Sequence, residues 1–172
     1  MRMGAIMART PEDLFRALTE LGIESQTFEH PPLFTVEESR GLRGEIPGLH
    51  TKNLFLRDRS RRYFLVVLEE ETRLDLRILP SLTGARGKVS FGSAEALWDL
   101  WGVTPGSVTP FGAINDPRGL VTVVLEARLA QAPAVSFHPL VNTRTTTLSG
   151  PDLLRFLDAS GHAPVLLSLD EA

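Results

Sequence analysis

Asn53-Leu54-Phe55-Leu56-Arg57 and Tyr63-Phe64-Leu65-Val66-Val67-Leu68 are two apolar runs separated by the charged segment Asp58-Arg59-Ser60-Arg61-Arg62. Short apolar runs around a polar turn predict an antiparallel hairpin. Side chains alternate along a strand, so Lys52, at the entry of the first run, shares a face with Leu54 and Leu56. Asn53 lies alongside Phe55 on the other face. A cation beside half-buried apolar positions must find an anion or a polar substrate atom, or lose its charge. A lysine whose head snorkels to water at a strand end satisfies the same pattern.

Outward from the hairpin, helices gather at the ends of the chain and strands between them. Thr10-Pro11-Glu12-Asp13 is a capping box with proline in the first turn, Leu14, Leu18 and Leu21 mark one face, and Gly22 stops the helix. Gln26–His30 reads as a strand, and Thr35-Val36-Glu37-Glu38 opens a second helix ending near Gly41 or Gly44. After the hairpin, Leu74–Leu79 predicts a short helix, Lys88–Phe91 a strand and Ser93–Trp101 a helix capped by Gly102. Leu120–Glu126, Val135–His138 and Thr145–Leu148 predict strands, Ser149–Asp158 a helix and Val165–Ser168 a last strand. The order implies an α+β fold, a mixed and largely antiparallel sheet surrounded by helices. One domain spanning 1–172 accounts for the length, with 1–9 expected as a flexible N-terminus.

Composition narrows the chemistry. The 172 residues carry 18 Lys plus Arg against 21 Asp plus Glu, a formal charge of −3, and no cysteine. Thiolate metal sites, disulfides and a cysteine nucleophile are therefore excluded. No apolar run is long enough to span a bilayer, and the start lacks a secretory leader, so a cytoplasmic location is expected. All basic residues but Lys52 and Lys88 are arginine, which suggests that these two stand where a compact ammonium is needed. Residues 52–88 carry nine cations and five acids, a locally basic segment on an acidic chain. Such a segment suits a polyanion, and equally a solvated arginine-rich turn.

Three further stretches are candidates for chemistry. Gly106-Ser107-Val108-Thr109-Pro110 can present main-chain N–H groups to a carbonyl or developing oxyanion. Ser136 and His138 lie on one strand face, but residues two apart point in parallel about 7 Å from each other, a poor hydrogen-bonding pair. With no G-x-S-x-G elbow, a serine triad is not expected, and His138 reads as a polar pocket wall. His30, His50 and His162 show no ligand spacing, so no metal is expected. Phosphate-loop and dinucleotide fingerprints are also missing, and no cofactor is expected.

Taken in order, the motifs are more specific than their parts. His30-Pro31-Pro32-Leu33-Phe34-Thr35-Val36-Glu37-Glu38 is followed by Gly48-Leu49-His50-Thr51-Lys52-Asn53-Leu54-Phe55-Leu56-Arg57-Asp58 and Lys88-Val89-Ser90-Phe91-Gly92-Ser93. Then come Pro105-Gly106-Ser107-Val108-Thr109-Pro110-Phe111, Ile114-Asn115-Asp116 and Phe137-His138-Pro139-Leu140-Val141-Asn142. Together they resemble the YbaK/prolyl-tRNA-synthetase editing-domain superfamily, from about Thr10 to Leu169, and within it the free-standing alanyl-tRNA(Pro) deacylases.

That resemblance implies hydrolysis of alanine misattached to tRNA(Pro), with the charged acceptor end as partner and the prolyl-tRNA synthetase as a further one. Neither DNA nor membrane is implied. It assigns the main functional role to Lys52, places Asn53 and His138 in the site, and has Gly106, Ser107, Val108, Thr109 and Pro110 shape the aminoacyl pocket. Arg86 and Lys88, in the basic segment, are expected on the tRNA. Gly112, where relatives often carry alanine, is expected to widen the pocket slightly. A cysteinyl-tRNA(Pro) deacylase and a non-catalytic tRNA-binding or regulatory module are the alternative functions.

Overall fold

The computed structural model describes residues 8–32 and 46–169. The helix expected from Thr35 lies outside them, as does most of the N-terminal stretch 1–9; of that stretch, Arg9 is described and its main-chain N–H donates to Asn115 Oδ1 at 2.9 Å. Helix α1, Pro11–Glu20, begins with the capping box read from the sequence, Thr10 and Asp13 each bonding the other's main-chain N–H. Leu14 and Leu18 are its fully buried stripe.

Strands β1 (Gln26–Glu29), β2 (Leu49–Arg57) and β3 (Tyr63–Glu69) come next. The expected helix at Leu74–Leu79 falls later, as a 3-10 turn at Leu76–Ile78 that runs into α2, Leu79–Thr83. Asp75 starts it by accepting from the Arg77 N–H, and Pro80 fits the first turn of α2. Strand β4 is only Ser90–Phe91, and α3, Ala94–Trp101, is capped by the Ser93 hydroxyl. Then follow β5 (Val121–Glu126), β6 (Val135–Phe137), β7 (Arg144–Leu148), α4 (Gly150–Ala159) and β8 (Val165–Leu167).

The strands join in the order β1-β7-β6-β2-β3-β5-β8, with β4 added beside β2. The pairings β1–β7, β7–β6, β2–β3 and β2–β4 are antiparallel, and β6–β2, β3–β5 and β5–β8 are parallel, so the sheet is mixed. Burial follows the two-residue period. Phe55, Leu65, Val67, Val123, Val135 and Phe137 face a large core with α1, α3 and α4, whereas Leu56, Phe64, Val66, Leu68 and Val124 face a smaller one with Leu79 and Val89.

Within the large core, Trp101 is wholly buried and its indole N–H donates to the Thr109 carbonyl at 2.6 Å. Gly112 presses on the same ring. A Cβ there would lie 2.1 Å from Trp101 Cδ1 and Nε1. This corrects the expectation drawn for Gly112: the missing methyl makes room for the indole and does not widen an aminoacyl pocket. Gly112→Ala should therefore lower stability by about 1–3 kcal/mol, as overpacking does. Gly22→Ala is the comparison, since its Cβ meets nothing within 4 Å and only the positive φ of 72° opposes it. Urea denaturation of the two variants checks this, with the larger loss in Gly112→Ala.

Candidate active site

β2 carries the first two candidates, and its two edges are used differently. One edge pairs with β3 from Thr51 to Arg57. The other meets β6 at Leu49 and His50 and β4 at Leu56 and Arg57, with an opening between. On that edge the Leu49 N–H donates to the Ala134 carbonyl and the Phe55 carbonyl accepts from the Gly92 N–H, both at 2.9 Å. Alternate residues of a strand direct their main-chain groups the same way, so the N–H and C=O of Asn53 point into the opening. The Thr51 hydroxyl fastens its near end by donating to the Ser136 carbonyl at 2.9 Å.

Lys52 is half-buried on the face of Leu54 and Leu56, as alternation predicts, and makes no ion pair among the described residues. Asn53 lies on the opposite face, with Phe55. Its amide N–H reaches only the Thr51 hydroxyl, at 3.5 Å, and its Oδ1 is buried with no partner. Leaving such an acceptor unpaired costs about 1–3 kcal/mol, so the arrangement favours a donor brought by something else.

His138 follows β6 directly. The parallel register sets His50 beside Ser136, the last pair of that ladder, and Lys52 and His138 each stand two residues further along the chain. Its Nδ1–H donates to the Arg144 carbonyl at 3.0 Å, which leaves Nε2 as the lone-pair nitrogen of the neutral ring. Burial pushes the imidazole below its ordinary pKa of 6.5; the Arg144 carbonyl opposes this and the nearby His30 adds to it. The rings of His30 and His138 are 6.2 Å apart. Ser136 takes no part in a nucleophilic pair, because its hydroxyl is spent on the Pro47 carbonyl and the Thr147 hydroxyl, 3.0 and 2.7 Å away.

The Gly106–Pro110 loop reaches β6 from the other side of the sheet. Pro105–Ser107 is a 3-10 turn closed by the Ser107 N–H on the Thr104 carbonyl at 2.9 Å. Thr109 is buried and pinned from both sides, its carbonyl by the Trp101 indole and its hydroxyl by the Phe111 N–H at 3.2 Å. Phe111 then packs edge-on against Phe137, 5.7 Å between ring centres, next to His138. The N–H groups of Val108 and Thr109 find no acceptor among the described residues. Gly106 abuts the turn that follows His138; a Cβ there would stand 3.2 Å from Asn142 Nδ2. In that turn the buried Leu140 has φ +69°, a conformation costing a branched residue about 1–2 kcal/mol.

Lys52, Asn53 and His138 thus lie at the β2–β6 junction, and the 106–110 loop packs at β6 on the face of the sheet opposite Lys52. Arg86 and Lys88 do not. They sit in the loop before β4, where Lys88, Leu76, Arg77, Pro80, Gly87 and Val89 line a hollow of about 510 Å³. Trp101 as the anchor of the loop, and Thr51 and Asn142 at its margins, were not singled out from the sequence. The one sequence signal for the anchor is Gly112, a glycine eleven residues beyond a buried tryptophan. Among the described residues no group of His, Asp and Glu is placed to hold a metal ion, and no helix is long and apolar enough to cross a membrane.

Comparison with known proteins gives this geometry its context. The model of the aminoacyl-tRNA editing domain matches residues 30–156, a span that takes in every candidate named above. The prolyl-tRNA editing protein ProX of Acetoanaerobium sticklandii is 37% identical over 146 residues, covering 84% of this chain and 88% of its own. The prolyl-tRNA synthetase associated domain-containing protein 1 of Danio rerio is 38% identical over 173 residues, covering 97% and 92%. A solved structure described as "a putative trans-editing enzyme for prolyl tRNA synthetase" has the same fold, with a TM-score of 0.71 at 22% identity over 94% of this chain and 97% of that one. With a family model that spans its core and relatives that match nearly end to end, the chain belongs to the aminoacyl-tRNA editing domain family.

Proposed function

We propose that the protein is a trans-editing hydrolase that removes alanine from mischarged tRNA(Pro). The observation that carries this reading is the junction of β2 and β6. A half-buried ammonium with no ion pair among the described residues and the imidazole of His138 stand there, near a stiffened loop whose Val108 and Thr109 amides find no acceptor among those residues. The relatives, a prolyl-tRNA editing protein and prolyl-tRNA synthetase associated proteins, support prolyl-tRNA as the adaptor. A synthetase pocket built for proline cannot fully exclude the smaller alanine, and a second site must correct the error.

An aminoacyl ester needs no protein nucleophile. Water adds to the carbonyl carbon, the ester C–O bond breaks, the ribose oxygen leaves with a proton, and the amino acid departs as its carboxylate. In this reading Lys52 holds the acceptor end through the terminal phosphate or the acyl carbonyl, and the Val108 and Thr109 amides stabilise the developing oxyanion. Asn53 Oδ1 receives the α-ammonium group, and His138 Nε2 accepts a hydrogen bond from substrate or from the attacking water. The neighbouring ribose hydroxyl helps to place that water. Gly106 and Pro110 limit the space for the side chain, and Arg86 and Lys88 contact the tRNA.

Lys52→Ala should lower kcat/KM for alanyl-tRNA(Pro) by about 100-fold or more, the scale for losing a group that stabilises transition-state charge. Release of labelled alanine measures it, with prolyl- and cysteinyl-tRNA(Pro) alongside; wild-type rates in the variant would remove the proposed role. Firm binding of charged tRNA with no release by the wild-type protein would instead favour a regulatory module.

His138 supplies a pH test. Its native pKa is depressed, so between that value and the unfolded value of about 6.5 the unfolded chain binds the proton and the native state does not. Stability therefore rises with pH through this window and falls on acidification below about 6.5. His138→Gln should flatten that part of a denaturation series, and the acid limb of the wild-type rate profile should lie below 6.5.

A further inference from the structure

Six of the thirteen described arginines are matched with carboxylates. Arg16 pairs with Asp13, Arg62 with Asp58, Arg77 with Asp75, Arg128 with Glu69 and Glu126, Arg144 with Glu12 and Glu29, and Arg155 with Asp152. Arg57, Arg59, Arg61, Arg86 and Lys88 are exposed and have no carboxylate partner among the described residues. Arg9, Lys52, Arg73 and Arg118 also have no carboxylate partner among the described residues and are scattered along the chain. These five fall in just two pieces, the β2–β3 turn and the loop before β4.

One buried acid holds the two pieces together. Asp58 is 2% exposed, and its carboxylate accepts from the Arg62 N–H at 2.8 Å, the Arg62 Nε–H at 3.2 Å and the Arg86 N–H at 2.9 Å. The Arg59 N–H closes the circuit on the Arg86 carbonyl at 2.9 Å, and Gly87 packs on the Arg59 side chain. The local carboxylate is thus consumed mainly by main-chain groups facing inward. The guanidiniums of Arg57, Arg59 and Arg61 stay uncompensated outside, on a chain whose formal charge is −3. Segregation of this kind favours a polyanion over a random surface of mixed sign.

An exposed aromatic ring stands at the same end of β2. Phe91 is 64% exposed, and the β2–β4 register places it opposite Leu56, with Ser90 opposite Arg57. A ring left in water at the end of the sheet that carries these cations suits a partner that is both anionic and able to stack, which is nucleic acid with an unpaired base. Five residues of extended chain separate Lys52 from Arg57, about 17 Å at the usual strand rise. A single-stranded 3′ tail fits that interval between the reaction site and a duplex.

We propose that Arg57, Arg59, Arg61 and Phe91 form a docking surface for the acceptor stem of the RNA, the guanidiniums on stem phosphates and the Phe91 ring against an unpaired base beside the stem. The choice of a charged acceptor end rests on the deacylase reading above, whereas the surface itself rests on the distribution of charge and the exposed ring.

The test uses binding of an uncharged acceptor-stem hairpin with its 3′ tail, and so does not depend on turnover. Salt titrations compare the wild-type protein, the double variant Arg59→Gln/Arg61→Gln, Phe91→Ala, and Arg155→Gln as a control on a distant paired arginine. The double variant should lose roughly tenfold or more in affinity at low salt, and its slope of log K against log salt should flatten by about one to two, since each lost phosphate contact removes up to about 0.9. Phe91→Ala should lose roughly five- to 100-fold with the slope unchanged, the mark of a stacking contact. Thermal melting confirms that the variants are folded. Wild-type affinity and slope in the double variant overturn the proposal, as does equal weakening by Arg155→Gln or tighter binding to anionic lipid vesicles than to the hairpin. Patch-dependent binding without deacylation would sink the enzymatic reading alone; deacylation with binding indifferent to these residues would sink this one alone.

Discussion

A strand has two hydrogen-bonding edges, and β2 completes only one of them. Its pairing with β3 runs from Thr51 to Arg57, whereas its other edge is divided between β6 and β4. The opening between them leaves the main chain of Asn53 facing a space and not a neighbour. In a closed sheet the ammonium of Lys52 and the loop at Gly106–Pro110 would be separated by a layer of paired backbone. In the proposed reading, this interruption lets groups from both faces address one small molecule.

Rigidity at the junction comes from outside it. The indole of Trp101 reaches the Thr109 carbonyl, Gly112 yields the volume that the ring needs, and the Asn115 amide holds the Trp101 carbonyl at 3.0 Å. Trp101 also meets the buried His162 edge-on, and His162 is 2.8 Å from Asp116. The loop that faces the opening is thus attached to a packed interior, where displacement would leave polar groups unpaired. Preorganised amides of this kind lose nothing to reorganisation when charge develops on a bound carbonyl.

Electrostatics divides the molecule by function in the same economical way. Elsewhere Arg16, Arg77, Arg128, Arg144 and Arg155 sit beside acids at the surface, where exposed pairs add little to stability. Near the hairpin turn Asp58 is buried, and Arg57, Arg59 and Arg61 have no carboxylate partner among the described residues. The same side-chain types therefore give a self-neutralised surface in one region and an uncompensated one in another, and the difference lies in which way Asp58 points.

Much of this was legible in the residues themselves. The capping box at Thr10, the apolar alternation around Lys52 and the Gly106-to-Pro110 spacing are local signals, and local geometry obeyed them. The helix expected at Leu74–Leu79 slid to Leu79–Thr83 because Asp75 and Pro80 fix the turn from either side, a competition that periodicity does not weigh. The parallel register that sets β6, and His138 after it, beside β2, the opening in the edge of β2, the seat of Gly112 against Trp101 and the inward turn of Asp58 were decided only in three dimensions. Each depends on contact between segments far apart in the chain, and such contacts are selected by packing and pairing of the whole sheet. The sequence by itself determined which groups were available and on which face of their strand they stood; the tertiary structure decided which of them share a space, because adjacency across a sheet is a property of register and not of order along the chain.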